Sequence, residues 1–376
     1  MRLSRFILPL LLLAPALPVQ ADDGPYDFTI TVENPTTSVK NQYRSGTCWC
    51  FATTSFIESE LLRMGKGEYD FSEMYTVRWN YYERLQDNFL RRGKGNITEG
   101  SIAHMAMKIF QKYGMVPEEA YPGINYDSPL HDHSEMTVYI KAIADASVEL
   151  GYRSPEYFEL QDALFDIYMG RMPSTFEYEG KEYTPETFRD MLGIDFDDYV
   201  ELTSFSHHPF YSKVPLEIPD NWDHETLYNL PLDEFMEVID NALTNGYTVC
   251  WDGDVSENGY VYSPTAVAIL PADPNVSFED IAGTDTLIQE VEFVDQDVRQ
   301  TLFETFVTTD DHLEHITGMA TDHDGNIYYM TKNSWADSNR YGGYHFMSEK
   351  YVRAKTVSIL VHKDAIPKNI RKKLGL

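Results

Sequence analysis

The chain has 376 residues and carries 60 acidic side chains against 30 Lys and Arg, a formal net charge of −30 at pH 7. So large an excess of negative charge repels nucleic acids and anionic membrane surfaces, so neither is an expected partner. The length suits one large domain or two lobes with substantial cores.

The first residues have the pattern of a secretory signal peptide that ends at residue 21. Arg2 and Arg5 precede an apolar run over 6–17, and the small-residue cleavage pattern VQA occupies 19–21. The run is too short for a stable membrane span. We therefore expect an exported protein, periplasmic or extracellular, with no membrane partner once the signal peptide is removed.

Helical periodicity dominates the part of the chain before residue 246. Apolar residues recur at helical spacing after Cys48, and Gly65 and Gly114 stand where C-terminal glycine stops belong. Ser72 is suited to open a helix. The predicted helices span 48–64, 71–86, 101–113 and 232–245, and a helix-leaning, acidic and aromatic insertion occupies about 130–230.

From residue 246 onward, short β-branched and aromatic runs alternate with Gly, Asp and Asn. Helices first and strands after indicate an α+β fold of two lobes with a cleft between them. We predict a mainly helical lobe over 22–245, an antiparallel β lobe over 246–362 and a C-terminal tail over 363–376. The predicted strands span 247–251, 260–262, 266–270, 315–321, 327–332 and 356–362.

Three cysteines cannot all pair within one chain, so at least one thiol stays free. Cys48 follows a Ser-Gly-Thr loop and opens a predicted helix with Thr47 as its N-cap, where the helix dipole is expected to lower the pKa of the thiol. Cys50 lies about 200° further round that helix and is expected to pack inside. A bridge between Cys50 and Cys250 is the less favoured alternative.

A thiolate nucleophile needs a base and a group that orients the base. The segment after residue 312 is predicted to form a β-hairpin, and a three-residue loop over 323–325 places His315 opposite Asn333 on one sheet face. An amide in that position can fix the tautomer of the imidazole. His312, on the other face, is the competing candidate, and a two-residue loop would shift the register by one.

Four motifs in chain order resemble the active-site residues of papain-like cysteine peptidases: Gln42, Cys48, His315 and the triplet NSW at 333–335. The resemblance implies a papain-like two-lobe fold with the active site in the cleft. It also implies that Cys48 attacks a peptide carbonyl and forms a thioester, that His315 transfers the proton, and that Asn333 orients His315. Gln42 and the Cys48 N–H would hold the oxyanion.

Residues 70–85, 97–122 and 247–260 are most similar to the bleomycin hydrolase and aminopeptidase C branch of that family. The branch implies an aminopeptidase in a homo-oligomer, commonly a hexamer, whose C-terminal carboxylate, here that of Leu376, receives the substrate's α-ammonium. Gly100 resembles the glycine whose backbone pairs with an extended substrate. An endopeptidase with the same mechanism is the alternative.

Two departures from the family and two rival functions accompany this resemblance. Glu99 stands where the family has a second glycine at the cleft, and no second tryptophan follows Trp335, which is expected to shield the bond between asparagine and histidine. Neither CxxC nor HExxH occurs, and His207-His208 lie in loop-like surroundings, so no metal or cofactor is expected. A catalytically silent peptide-binding homologue and a cysteine acyl transferase or amidase are the rivals.

Overall fold

The computed structural model describes residues 25–376, so the predicted signal peptide lies outside the described residues. Within them, no helix has both the length and the apolarity needed to cross a membrane. The helices are α1 Cys48–Arg63, α2 Glu73–Leu90, α3 Ala103–Tyr113, α4 Ser134–Leu150, α5 Pro155–Met169, α6 Pro185–Leu192, α7 Leu232–Thr244, α8 Phe278–Ala282, α9 Gln296–Glu304, α10 Glu349–Lys355 and α11 Lys368–Leu374.

Eleven of the described strands form one large sheet, and the other two form a separate hairpin, β2–β3. Along the large sheet the order is β5-β6-β4-β13-β7-β10-β11-β12-β9-β8, with β1 paired to β10. The strands are β1 Thr29–Glu33, β2 Phe176–Tyr178, β3 Lys181–Tyr183, β4 Tyr199–Thr203, β5 Lys213–Pro215, β6 Thr226–Asn229, β7 Val249–Gly253, β8 Tyr260–Val261, β9 Val267–Ala268, β10 His312–Thr321, β11 Ile327–Lys332, β12 Tyr344–Ser348 and β13 Thr356–His362.

The four helices predicted from periodicity are present as α1, α2, α3 and α7, with α2 continuing to Leu90 instead of ending at residue 86. Ser72 caps α2 as expected, since its side chain accepts the Tyr75 N–H at 3.0 Å. The predicted lobe boundary at residue 245 does not separate helices from sheet. The large sheet also takes β1, β4, β5 and β6 from the earlier part of the chain.

The two faces of the large sheet pack against different helices. Leu313 and Cys250 join the core that contains α1, α2 and α3, whereas Ile316 and Trp251 join a second core that contains α7. This alternation follows from the two-residue period of a strand. The helix that begins with Cys48 and the helix α7 therefore lie on opposite faces of the sheet.

The C-terminal tail folds as α11 on the α7 face. Ile370 and Leu374 are buried in the core that contains α7, and the Lys373 Nζ lies 2.7 Å from a carboxylate oxygen of Glu234. The prediction that Leu376 presents its carboxylate in the cleft is wrong. Burial of two apolar side chains holds the tail on the face of the sheet opposite to α1.

A β-bulge in β10 changes the predicted hairpin register. Thr321 pairs with Ile327 as predicted, but the register shifts between Ile316 and Gly318, so His315 pairs with Lys332 instead of Asn333. Gly318 has no room for a side chain, because a Cβ there would overlap the carbonyl oxygen of Val32 in β1. The bulge thus lies beside a close contact between β1 and β10.

Candidate active site

His312, the first residue of β10, is the histidine that contacts Asn333. Its Nε2 lies 3.0 Å from Asn333 Oδ1, and its ring stacks on Trp335 with centroids 4.8 Å apart at 29°. The imidazole is only 4% exposed. Trp335 therefore covers a hydrogen bond between Asn333 and a histidine, as predicted. That histidine is His312 and not His315.

A buried polar network fixes the orientation of Asn333. Its Nδ2 donates to Glu314 Oε1 at 2.5 Å and to the Tyr260 hydroxyl at 2.9 Å, and that hydroxyl donates to the same Glu314 oxygen at 2.6 Å. His345 Nε2 lies 3.2 Å from the other Glu314 oxygen. These contacts leave the amide oxygen of Asn333 to face His312. Sequence analysis did not identify Glu314, which lies immediately before the predicted strand over 315–321.

His315 occupies a different environment, so its predicted pairing with Asn333 is wrong. Its Nδ1 lies 2.9 Å from Ser55 Oγ in α1, and that hydroxyl also accepts from Lys332 Nζ at 2.8 Å. Burial, followed by the charge of Lys332, lowers the pKa of His315 well below its usual value. The one-residue shift at the bulge brought Lys332 to the position that Asn333 was expected to occupy.

Cys48 begins α1 and faces the start of β10. Cys48 is 8% exposed, and the backbone N–H of Leu313, the residue after His312, acts on its thiol. Contrary to the predicted effect of the helix dipole, burial raises the pKa of Cys48 far above its usual value, and nearby carboxylates add to the rise. Burial likewise lowers the pKa of His312.

Gln42 is tied to the segment that carries Asn333. Its backbone N–H donates to the Ser334 carbonyl at 2.9 Å, and its side-chain oxygen accepts the Ser334 hydroxyl at 2.5 Å. The side-chain Nε2 donates one hydrogen to the Ser45 carbonyl at 2.8 Å. Its second hydrogen remains for another acceptor. The loop 42–47 thereby brings an amide donor to the segment that precedes Cys48.

Gly100 lies beside a carboxylate, where a Cβ would overlap the side chain of Asp220. The preceding Glu99 turns away to the loop before α1, since its Oε2 accepts the Gly46 N–H at 2.8 Å and its carbonyl accepts the Trp49 indole N–H at 2.9 Å. Glu99 therefore anchors the loop that leads to Cys48. The proposed pairing of Gly100 with substrate stays a prediction.

The other two cysteines have structural positions. All three thiols are free, so Cys50 and Cys250 are not bridged. Cys50 Sγ donates to the Glu73 carbonyl at 3.3 Å, and Cys250 lies 3.7 Å from the Thr53 hydroxyl. Cys50 packs inside, as its angular position on α1 indicated.

One group of side chains within residues 25–376 has the composition of a metal site. His207, His208 and Glu217 each offer a ligand atom, and these atoms lie within 4.8 Å of one another. Glu217 accepts from both imidazoles at 3.0–3.2 Å, and Gln300 Nε2 lies 2.9 Å from His207 Nδ1. Hydrogen bonds connect these side chains to one another and to Gln300.

Comparison with known proteins relates the chain to peptidases. The model of the Peptidase C1-like family matches residues 19–92 and 165–375. Aminopeptidase E of Lactobacillus helveticus is 23% identical over 387 residues, covering 89% of this chain and 82% of that protein. Aminopeptidase C of Lactococcus lactis subsp. cremoris is 24% identical over 371 residues, covering 87% and 81%.

Among solved structures, PepW from Lactobacillus rhamnosis HN001 superposes with a TM-score of 0.68 at 19% identity, covering 92% of this chain and 84% of that one. This likeness shows a shared papain-like α+β fold. The family model covers well over half of the chain. The chain therefore belongs to the Peptidase C1-like family and is a cysteine-type peptidase.

Proposed function

We propose that the protein is an aminopeptidase in which Cys48 is the nucleophile, His312 the proton carrier and Asn333 the residue that orients His312. The observation that carries the proposal is the 3.0 Å contact between His312 Nε2 and Asn333 Oδ1. The next residue, Leu313, acts on the Cys48 thiol through its backbone N–H. His312 takes the role that the resemblance gave to His315.

The orientation of the His312 ring determines which nitrogen can act on the nucleophile. Because Nε2 of His312 faces Asn333, its Nδ1 is the nitrogen left to take the Cys48 proton as the sulfur attacks the scissile carbonyl. The amine leaves with a proton from His312, and a thioester remains on Cys48. Water activated by His312 then releases the acid and restores the thiol.

The oxyanion formed on attack needs donors close to the sulfur. The Cys48 N–H, at the first position of α1, has no carbonyl partner within that helix. The second hydrogen of Gln42 Nε2 is the other proposed donor. Two donors held by the loop 42–47 and by α1 form a pre-arranged site for the negative charge.

The names of the similar proteins favour removal of N-terminal residues. Aminopeptidase E and aminopeptidase C, which are related along most of their length, support an aminopeptidase here. The endopeptidase alternative has one observation in its favour, because α11 lies on the α7 face and does not close the cleft. Both alternatives use the same chemistry at Cys48.

The test is to incubate purified protein with free and N-acetylated versions of the same peptides under reducing conditions, and to identify the products by mass. We expect stepwise loss of N-terminal residues from the free peptides only, and no hydrolysis by Cys48→Ala. Internal cleavage of both peptide sets would support the endopeptidase. Alkylation of Cys48 without any hydrolysis would support a silent binding homologue, and transfer to added amines an acyl transferase.

Export and a homo-oligomeric state are further proposals, resting respectively on the signal-peptide pattern of residues 1–21 and on the family resemblance. N-terminal sequencing of the protein from its native source should begin after residue 21. Light scattering of the purified protein should give the mass of an oligomer. An intact Met1 would contradict export, and a monomer mass would contradict assembly.

A further inference from the structure

We propose that Glu99 is a positioning residue that holds the loop 42–47 in the shape needed to stabilise the oxyanion. The inference rests on the proposed peptidase mechanism, to which it adds a residue that acts through the loop. The resembled family has a glycine at this position. The family model matches residues 19–92 and 165–375, so Glu99 lies in the part of the chain between the matched ranges.

Glu99 is bonded to the chain on both sides of the nucleophile. Its Oε2 accepts the Gly46 N–H at 2.8 Å, and its backbone carbonyl accepts the indole N–H of Trp49 at 2.9 Å. Gly46 lies two residues before Cys48, and Trp49 is the residue after it. A Cβ on Gly46 would lie 2.9 Å from the Glu99 Cβ, so a side chain there would force the two segments apart. One residue therefore fixes the approach to Cys48 by two hydrogen bonds and a close backbone contact.

Two buried side chains hold the carboxylate of Glu99 in place. The Tyr81 hydroxyl donates to the same Oε2 at 3.4 Å, and His133 Nδ1 lies 3.3 Å from that oxygen. The Tyr81 hydroxyl also lies 3.2 Å from His133 Nδ1, so the three groups form a closed cluster. Tyr81 is 2% exposed and His133 1%. Partners that packing holds in one orientation keep the carboxylate directed at the Gly46 N–H.

The segment that carries His133 also pairs with the loop 42–47 through its backbone. The Arg44 N–H donates to the His131 carbonyl, and the His133 N–H donates to the Arg44 carbonyl, both at 3.0 Å. The loop is thus held at Arg44 by backbone bonds and at Gly46 by Glu99. Both attachments lead to the same segment, which immediately precedes α4. The start of the helical insertion therefore supports the loop that leads to the nucleophile.

The loop carries one proposed oxyanion donor and leads to the other. Gln42 Nε2 donates one hydrogen to the Ser45 carbonyl at 2.8 Å, and the residue after Ser45 is the one that Glu99 holds. One further residue separates it from the Cys48 N–H. Donors stabilise an oxyanion well only when they are fixed in advance to within about 0.5 Å. A loop released from Glu99 would keep both donors but lose their fixed placement.

The test compares reactions of Cys48 that differ in whether an oxyanion forms. Hydrolysis of a peptide forms one. The aldehyde with the acyl part of the same substrate gives a tetrahedral adduct, in which the sulfur is bonded to the former carbonyl carbon and the oxygen occupies the oxyanion site. Iodoacetamide reacts differently, because the sulfur displaces iodide from a saturated carbon and no oxyanion forms. A residue that acts on oxyanion stabilisation should therefore affect hydrolysis and aldehyde binding but not alkylation.

We expect Glu99→Ala and Glu99→Asp to lower kcat about tenfold to a hundredfold, less than the loss of one oxyanion donor outright. Aspartate keeps the charge but is one methylene shorter, so it does not reach the Gly46 N–H. KM and the rate of alkylation should stay within about twofold of wild type, whereas aldehyde binding should weaken in parallel with kcat. Glu99→Gln keeps an acceptor oxygen at the same reach and should retain most of the activity.

Glu119→Ala, which removes an exposed carboxylate elsewhere, is the control and should behave as wild type. Glu99 is partly exposed and Glu99→Asp keeps its charge, so the aspartate variant tests the proposal even if Glu99→Ala does not fold. Wild-type kcat in folded Glu99→Asp overturns the proposal, and so does an equal fall in the rates of hydrolysis and alkylation. A wild type that neither hydrolyses peptides nor binds the aldehyde instead contradicts the proposed function.

Discussion

His312 and His315 are separated by two residues on one strand, yet their side chains meet different groups. His312 faces Asn333 and Trp335, and His315 faces Ser55 of α1. We expect His312→Ala to lower kcat/KM at least about a hundredfold, because proton transfer from Cys48 is lost. His315→Gln can still bond to the Ser55 hydroxyl and should retain most of the activity.

Steady-state kinetics on both variants, with thermal unfolding to verify that each is folded, provides the measurement. A loss of activity in folded His315→Gln that equals the loss in His312→Ala would contradict the assignment. The comparison is informative because both histidines are buried and both titrate below their usual range.

The error over these two histidines has a physical origin. The sequence predicted the turn and the pairing next to it, and both are confirmed, but it could not show the bulge that shifts the remaining pairs by one. One signal was present, since Gly318 interrupts a strand and glycine in a strand often marks a bulge or a close approach of backbone. The reason for the glycine, the carbonyl of Val32, belongs to a strand almost 290 residues away.

His104 supplies a pH-dependent contribution to stability. Burial lowers its pKa, but Glu201 and Asp223, whose oxygens lie 2.7 and 2.8 Å from the two ring nitrogens, outweigh burial and raise it to about 9. A pKa raised on folding stabilises the protein fully below about pH 6.5, the value in an unfolded chain, and this stabilisation is lost as pH rises to about 9.

We therefore expect His104→Gln to reduce the free energy of unfolding by on the order of 3 kcal/mol near pH 6, and by much less near pH 10. Urea denaturation across this pH range measures the difference. His323→Gln, a change at an exposed turn, is the control and should show no such trend. If the difference in the free energy of unfolding between the wild type and His104→Gln stays constant with pH, His104 is neutral in the folded protein.

At the scale of elements, α11 is expected to stabilise the fold without affecting substrate selection. Ile370→Ala should lower the free energy of unfolding by about 2–5 kcal/mol, because it leaves a cavity beside α7. Exposed Lys372→Ala is the control. Denaturant unfolding measures both.

Selectivity provides a separate measurement for the same element. Deletion of residues 368–376 should leave the ratio of activity on free and N-acetylated peptides unchanged in whatever protein still folds. If the deletion raises the activity on N-acetylated peptides relative to free peptides, the tail does reach the cleft.

The elements differ in how far the sequence predicted them. Helices α1 and α7 follow a regular apolar period and are found within one residue of their predicted ends. β10 begins at His312, three residues earlier than predicted. His312 and Glu314 are polar side chains that belong to a buried network, and buried polar residues give no apolar signal for a strand. β4, β5 and β6 were missed, since β5 and β6 are short and β4 is ordered by pairing with β13 much later in the chain.

At the scale of the whole molecule, the net charge of −30 should influence encounter with substrate. We expect kcat/KM for peptides with several Lys or Arg residues to fall as NaCl is raised to about 0.5 M, since salt screens long-range attraction. Acidic peptides should show the opposite trend, and neutral peptides little change. A salt response that is the same for all three sets would mean that the surface charge has no part in association.

The placement of β10 has a consequence for biosynthesis. The strand that starts with His312 pairs with β1 from residues 29–33 and with β11 from residues 327–332, and Gln42 bonds to Ser334. Contacts between such distant parts of a chain form late in folding. A ribosome-bound fragment that ends before residue 333 has no Asn333 to hold the imidazole, so the proposed active site is complete only once nearly all of the polypeptide has been made.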